Sequence, residues 1–129
     1  MIRLGSLAGY PFEGPRLLGA WTPPEVAAVY AVLYRPLPEE KPDRYAVIYA
    51  DHADNLATAR LPFRHPRAHC WVERAGSRWK VYIGTYVVPG GTRSHREAIV
   101  RELISVYRPR CNTERYDASW QNSWIGGES

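Results

Sequence analysis

Arginines that lie close to tryptophans in the sequence are the residues of this chain whose side chains most clearly suggest a binding function. Only Lys41 and Lys80 among the 17 basic residues are lysine, and the formal net charge is +4. Guanidinium groups bind phosphate through paired hydrogen bonds, and indole rings stack on nucleobases. Four arginines alternate with two tryptophans in one segment: Arg64, Arg67, Trp71, Arg74, Arg78 and Trp79. This pattern predicts a nucleic-acid-binding surface, and a solvated charged face with core tryptophans fits it equally well.

Histidines and cysteines suggest metal or redox chemistry less clearly. The spacing of His52, His65, His69 and Cys70 fits no structural zinc pattern, so we expect these histidines to be solvated. The second cysteine, Cys111, lies 41 residues beyond Cys70. No secretory signal is recognisable, and disulfides are rare in reducing compartments. The sequence therefore predicts two free thiols and a cytoplasmic protein.

Length and composition favour one folded domain. The chain has 129 residues, of which 45% are hydrophobic, and this is enough for a core and too much for intrinsic disorder. No apolar run approaches the roughly 18 residues that a membrane span needs. The positive net charge favours an anionic partner, and a genome rich in arginine codons would also explain the excess of arginine over lysine. We expect no membrane contact.

The apolar segments predict three strands. Residues 1–25 are dense in glycine and proline and are expected to form an irregular arm. Short runs rich in β-branched and aromatic residues at 26–34, 44–50 and 79–88 predict strands. The first two, joined by a proline-rich loop, are expected to pair as an antiparallel hairpin.

Two further segments predict helices. Residues 54–60 are expected to form one or two turns with Asp54 as N-cap, and residues 61–77 to form a loop with one short helix. Ser94 and Glu97 have the spacing of a capping box before an amphipathic helix that Pro109 ends. We expect the tail, residues 113–129, to pack on the domain through its apolar side chains.

The order of these elements, together with four short segments, resembles the GIY-YIG nuclease domain. Residues 28–30 fall on the Gly-Ile-Tyr of that family, and residues 49–51 fall on its Tyr-Ile-Gly. Asn55 and Leu56 follow Tyr49 at the family spacing. The closing segment, residues 103–112, contains the Leu-Ile pair and the late asparagine. The resemblance covers residues 26–112 and implies an α/β (α+β) fold with a small three-stranded antiparallel sheet flanked by helices.

The resemblance implies metal-assisted hydrolysis of a phosphodiester bond. Such a site uses tyrosines near the attacking water, an arginine on the phosphate and a glutamate on a divalent cation. On this sequence those roles, with the late asparagine orienting the site, fall on Tyr30, Tyr49, Arg60, Glu97 and Asn112. The implied cofactor is Mg²⁺ or Mn²⁺ if the protein is active, and none otherwise.

Several positions depart from the family pattern. Ala59 and Val100 stand where the family has its arginine and glutamate, so Arg60 and Glu97 are displaced substitutes. A solvated Arg60 and a capping role for Glu97 fit the sequence as well. Asp51 replaces the glycine of the second motif, where its charge would repel phosphate or relocate a cation.

These departures leave two functions open. One is a divalent-metal endonuclease with a degraded site that cuts DNA. The other is a catalytically inactive derivative that binds nucleic acid, DNA rather than RNA, or a protein partner. In both cases the site is expected where the first two strands meet the last long helix.

Overall fold

The protein is built on one antiparallel sheet with helices on both faces. The computed structural model describes residues 1–7 and 9–113. Its strands are β1 (Ile2–Leu4), β2 (Tyr10–Leu17), β3 (Ala28–Tyr34), β4 (Ala46–Ala53) and β5 (Tyr82–Tyr86), and its α-helices are α1 (Ala68–Ala75), α2 (Arg93–Tyr107) and α3 (Arg110–Thr113). The sheet order is β1-β2-β5-β3-β4. The predicted α+β class with an antiparallel sheet is therefore confirmed.

The N-terminal segment forms two strands, so the predictions of an irregular arm over residues 1–25 and of a three-stranded sheet are wrong. Proline and glycine led to those predictions because both disfavour regular strands. In β2, Gly14 and Pro15 fall at an irregularity of the pairing with β5. Gly14 has a φ of +110°, and a Cβ there would lie 2.8 Å from the carbonyl oxygen of Ile83. A bulge thus accommodates both residues inside the strand.

Strand β3 is the centre of the sheet. It pairs with β4 on one edge and with β5 on the other, and six of its seven residues are buried. A strand that is covered on both faces has apolar residues at successive positions, and this explains the continuous apolar run at residues 26–34. The pairing of β3 with β4 confirms the predicted antiparallel hairpin.

Two separate cores lie on the two faces of the sheet. Tyr30 and Val32 of β3 pack with α1, including Trp71, and we call this side the α1 face. Val29 and Ala31 pack with α2 on the other side, the α2 face. Successive side chains of a strand point to opposite faces, so neighbours in sequence belong to different cores.

The helix ends differ from those predicted. The segment 54–60 forms a single 3₁₀ turn, Leu56–Thr58, whose N-cap is Asn55 rather than Asp54. Thr92 is the N-cap of helix α2, and its Oγ1 accepts the backbone N–H of His95 at 3.1 Å. The predicted capping box between Ser94 and Glu97 is therefore wrong, because a threonine two residues earlier caps the helix.

Cys70 on α1 and Cys111 on α3 form a disulfide bond, so the prediction of free thiols is wrong. That prediction rested on the missing export signal and on a separation of 41 residues, and neither feature reports distance in the folded chain. Helices α1 and α3 both pack on the α1 face, where both cysteines are buried.

Two further predictions concern membrane contact and the C-terminal tail. Among residues 1–7 and 9–113, no helix combines the length and apolar character needed to cross a membrane. The predicted packing of the tail concerns residues 114–129, which lie outside the described part of the chain.

Glu102 of α2 attaches the N-terminal hairpin. Its Oε2 accepts the backbone N–H of Ser6 at 3.0 Å and the Ser6 hydroxyl at 2.8 Å, and its Oε1 accepts the Tyr10 hydroxyl at 2.9 Å. Nearby, the Gly5 N–H donates to the Tyr107 hydroxyl at 2.9 Å. The hydrogen bonds from Ser6, and then the one from Tyr10, lower the pKa of the Glu102 carboxyl. The carboxylate form therefore favours the docked hairpin.

Loss of the disulfide should destabilise the protein strongly. We expect replacement of both Cys70 and Cys111 by alanine to lower the free energy of unfolding by about 4 kcal/mol, because the bond restricts the unfolded chain over a long loop. Urea unfolding of the double variant and of the wild type, each with and without reductant, measures the difference. A wild-type midpoint that reductant does not change, with both thiols titratable, would contradict the prediction.

Acid should weaken the attachment of the hairpin. Because the pKa of Glu102 in the folded state lies below its ordinary value of 4.5, its contribution is complete above that value. The contribution is lost as the pH falls through the folded-state pKa. We expect Glu102→Gln to remove this component from the pH dependence of urea unfolding. The control is Glu39→Gln in the exposed loop, which should retain the wild-type acid dependence.

Candidate functional site

Two tyrosines on neighbouring strands form the centre of the candidate site. In the register of β3 and β4, Tyr30 is opposite Asp51 and Val32 is opposite Tyr49, so the two tyrosines are diagonal neighbours on the α1 face. Their ring centroids are 6.2 Å apart. Only 1% of Tyr30 and 7% of Tyr49 is exposed. The fold thus brings together the two tyrosines that the resemblance singled out.

Tyr49 is held by polar partners on two sides. Its hydroxyl donates to Oδ2 of Asp51 at 3.0 Å and lies 3.4 Å from Nε2 of His65. Nδ1 of His65 accepts the backbone N–H of Arg67 at 3.0 Å. A neutral imidazole whose Nδ1 accepts must carry its proton on Nε2, so this network assigns His65 as the donor to Tyr49. The ring of Trp71 packs beside both, with centroids 5.3 Å from Tyr49 and 5.0 Å from His65.

Both tyrosines remain protonated at neutral pH. Burial is the largest cause that raises the pKa of Tyr49 far above 10, and the Asp51 carboxylate raises it further. Burial likewise raises the pKa of Tyr30, with smaller contributions from Tyr49 and Asp51. A phenol can act as a general base only as phenolate. These two hydroxyl groups therefore serve as hydrogen-bond donors and not as bases.

Two arginines bring positive charge to this cluster. Burial is the main cause that lowers the pKa of His65, Asp51 opposes it, and the charges of Arg67 and Arg60 lower it further. His65 is consequently neutral at neutral pH. Arg67 also lowers the pKa of Tyr49. Asp51 and His65 thus lie beside the buried tyrosines within reach of two positive charges, and we call Tyr30, Tyr49, Asp51 and His65 the tyrosine cluster.

Arg60 occupies an unusual backbone position. It has a φ of +64°, in the left-handed region, and its side chain is exposed. Ala59, at the family arginine position, is partly buried against the core of the α1 face. The one-residue shift therefore places the arginine towards solvent while its charge still reaches His65.

Asn112 is bonded to the backbone of β4. Its Oδ1 accepts the N–H of Ala50 at 2.7 Å, and its Nδ2 donates to the carbonyl oxygen of Ala50 at 2.8 Å. The amide thus pairs with the free edge of β4 as a neighbouring strand would, and it fixes α3 to the sheet. Its two polar groups are engaged in the structure, so the orienting role implied by the resemblance stays a prediction.

Glu97, the predicted metal ligand, is on the opposite side of the sheet from the two tyrosines. Helix α2 packs on the α2 face, where Val100 is buried. An Oε2 of Glu97 lies 3.5 Å from Nε of Arg93 and 3.9 Å from Nε2 of His52. Because the tyrosines project from the opposite face, the structure does not bring Glu97 to them.

A buried arginine organises the start of α2. Only 5% of Arg96 is exposed, and its guanidinium donates to Asp54 and, at 3.2 Å, to the carbonyl oxygen of Gly91. Its Nε also donates to Nδ1 of His52 at 3.5 Å. Sequence reasoning missed this residue, because an arginine is expected to be exposed unless it has a known partner. The partner, Asp54, is 42 residues away in the sequence.

The donor set does not fit a resident divalent cation. At the tyrosine cluster the Asp51 carboxylate already accepts from Tyr49 and, through Oδ1, from the His52 N–H at 2.8 Å. Within residues 1–7 and 9–113, no group of three or more histidine, cysteine, aspartate or glutamate side chains could hold a metal ion. Mg²⁺ and Mn²⁺ require several oxygen ligands, so no step through a metal follows from these residues.

The arginines and tryptophans of the predicted nucleic-acid surface differ in exposure. Arg64 and Arg74 are exposed, and Arg67 is partly buried at the start of α1. Trp71 is fully buried and belongs to the core, whereas 59% of Trp79 is exposed. Of the two tryptophans, only Trp79 can offer a ring to a base.

Sequence reasoning also missed His65, which was expected to be solvated. It is partly buried and contacts Tyr49 and Trp71. Its bond to the Arg67 N–H, two residues later, is local, but its contact with Tyr49 depends on how the loop before α1 folds over β4. No periodicity in the sequence reports that contact.

Acid should loosen the turn at His65. Since burial lowers the folded-state pKa of His65 below 6.5, the unfolded chain takes up the proton first. Its contribution to stability is therefore complete above pH 6.5 and is lost as the pH falls through the folded-state pKa. Protonation of Nδ1 also removes the acceptor for Arg67. We expect His65→Gln to flatten the pH dependence of urea unfolding below pH 6.5, where the wild type loses this contribution.

The matched control is His95→Gln on the exposed side of α2. If it flattens the curve as much as His65→Gln does, the assignment of the acid response to the buried histidine is wrong.

Comparisons with known proteins leave the site to be interpreted from its own geometry. Searches of protein-family models, of curated proteins and of solved structures find no match to this chain.

Proposed function

We propose that this protein is a GIY-YIG-type protein derived from metal-dependent endonucleases, and that it binds the phosphodiester backbone of nucleic acid, DNA rather than RNA, without catalytic turnover. The observation that carries the proposal is the convergence of Arg60 and Arg67 on the tyrosine cluster. Phosphate groups bind where guanidinium charge and neutral hydrogen-bond donors converge.

The order of elements supports the family part of the proposal. Strands β3 and β4 form the hairpin, α1 follows, β5 then pairs with the other edge of β3, and α2 comes next. This is the order that the resemblance implies, and Tyr30 and Tyr49 are neighbours within it. The hairpin of β1 and β2 is an addition outside the resembling residues.

The charge distribution supports binding of phosphate. Arg60 and Arg67 both lower the pKa of His65, so their positive potential acts at one point next to Tyr49. Neutral His65 adds no charge there. Asp51 reduces the potential, but its oxygens accept from Tyr49 and from the His52 N–H. A phosphate would therefore approach the two arginines rather than the partly buried Asp51 carboxylate.

The same geometry argues against turnover. The tyrosines are protonated, Val100 fills the family glutamate position in an apolar core, and Glu97 is on the opposite face. Hydrolysis of a phosphodiester needs a base for the attacking water and a cation for the developing charge. The two phenols therefore supply no phenolate base, and the oxygens of Asp51 already accept hydrogen bonds from Tyr49 and from the His52 N–H.

The cellular compartment follows only as part of the proposal. The sequence predicts a cytoplasmic protein, whereas the disulfide between Cys70 and Cys111 favours an oxidising environment. Titration of thiols in protein isolated under conditions that trap the redox state distinguishes the two.

Removal of the Arg60 charge should weaken binding without unfolding the protein. We expect Arg60→Gly to lower affinity for a labelled DNA duplex and to reduce the slope of log affinity against log salt by about 1. Glycine accepts the positive φ of residue 60, so stability should be unchanged or slightly higher. Fluorescence anisotropy across a salt series measures the slope, with Arg101→Gln on α2 as the charge-matched control.

Two results would overturn the proposal. A salt-independent affinity, or none, would remove the phosphate-binding role and favour a protein partner. Nicking of supercoiled plasmid with Mg²⁺ or Mn²⁺ that Tyr49→Phe abolishes would establish the endonuclease in its place.

A further inference from the structure

Trp79 is an exposed aromatic side chain whose position is fixed. It lies in the 3₁₀ turn Arg78–Lys80, where the hydroxyl of Ser77 accepts the backbone N–H of Trp79 at 3.1 Å. Its ring rests against Gly19, where an added Cβ would come within 2.9 Å of Cζ3 of the indole. Although 59% of the residue is exposed, it is packed on one side and open on the other. Such a ring is ordered before any ligand arrives.

Arg78 extends this aromatic surface. Its Cζ lies 4.8 Å from the ring centroid of Phe63 and 5.9 Å from that of Trp79. In the described part of the chain, no carboxylate lies within salt-bridge distance of its guanidinium. The cation is thus held by ring faces and retains its hydrogen-bond donors for an outside acceptor.

A shallow groove begins at this arginine. It has a volume of about 670 Å³ and is lined by Phe63, Ala68, His69, Val72, Glu73 and Arg78. The segment 60–80 that surrounds it has six arginine or lysine residues and one acid, Glu73. An apolar floor within a positive surface complements a ligand that has flat rings and negative charges.

We propose that the surface formed by Phe63, Arg78 and Trp79 binds an unpaired base of single-stranded nucleic acid, with Arg78 on an adjacent phosphate. The proposal rests on the nucleic-acid-binding function and assigns its substrate class. In a duplex the faces of the bases are stacked on one another, so an exposed indole gains little from it. A single strand offers every base face, and aromatic stacking adds about 1–3 kcal/mol per base.

The Phe63, Arg78 and Trp79 surface lies on the same side of the sheet as the tyrosine cluster. Phe63 and Trp71 pack on the α1-face core, and Trp71 contacts Tyr49. One strand could therefore place phosphates near Arg60 and Arg67 and a base on Trp79. The α2 face contributes to neither contact.

The test compares single-stranded and duplex binding. A labelled oligothymidine of about 16 nucleotides, an oligouridine of the same length and a matched duplex are titrated by fluorescence anisotropy. We expect Trp79→Ala to weaken single-strand affinity by about 5- to 150-fold and to leave duplex affinity and the salt slope unchanged. Trp79→Phe should retain most of the affinity, and Val106→Ala, an exposed apolar residue on α2, should retain all of it.

A second measurement does not depend on the folding of the alanine variant. Stacking should quench the fluorescence of Trp79 when oligothymidine is added to the wild type, and this quenching should be absent from Trp79→Phe. Equal affinity of the wild type for single strand and duplex, with no effect of either Trp79 substitution, would overturn this inference and leave the proposed function standing. Absence of binding to all three probes would overturn the proposed function itself.

Discussion

The pleat of β3 and β4 decides which residues of this protein can share a site. Tyr30, Tyr49 and Asp51 lie on the side of α1, whereas His52, which directly follows Asp51 in β4, bonds to Arg96 of α2 on the other side. A difference of one residue in sequence therefore becomes a difference of one whole sheet thickness. The hydrogen bonds around Tyr49 lie on one side of the sheet, and the network around the buried Arg96 lies on the other.

Hydrophobic patterns within single segments of the sequence predicted much of the fold. The apolar run at residues 26–34 identified β3 because a strand buried on both faces has no polar residues, and the amphipathic stripe after residue 94 identified α2. The β1 and β2 hairpin could not be predicted, since its glycines and prolines are accommodated by a bulge that exists only in the pairing with β5. The disulfide was missed because it depends on the packing of α1 and α3 against the same core.

The candidate site was predictable in part. The family resemblance identified Tyr30 and Tyr49, which lie side by side, but it also placed Glu97 with them. That expectation counted positions along α2 and could not include the face on which the helix packs. His65 reaches the site because the loop before α1 folds over β4. No hydrophobic periodicity in the sequence predicts the path of that loop. The raised pKa of the two tyrosine hydroxyls could not be predicted from the sequence either, because the pKa of a phenol depends on its surroundings in the fold.

The bonds between Asn112 and Ala50 have a consequence for association between copies of the protein. A strand with open N–H and C=O groups invites another chain to extend the sheet. At Ala50 these groups are occupied by a side-chain amide, and α3 lies against the same border of β4. At the opposite border β1 has only three residues, too few for a long ladder. At Ala50 and along the short β1, the borders of the sheet are thus less open to a second copy.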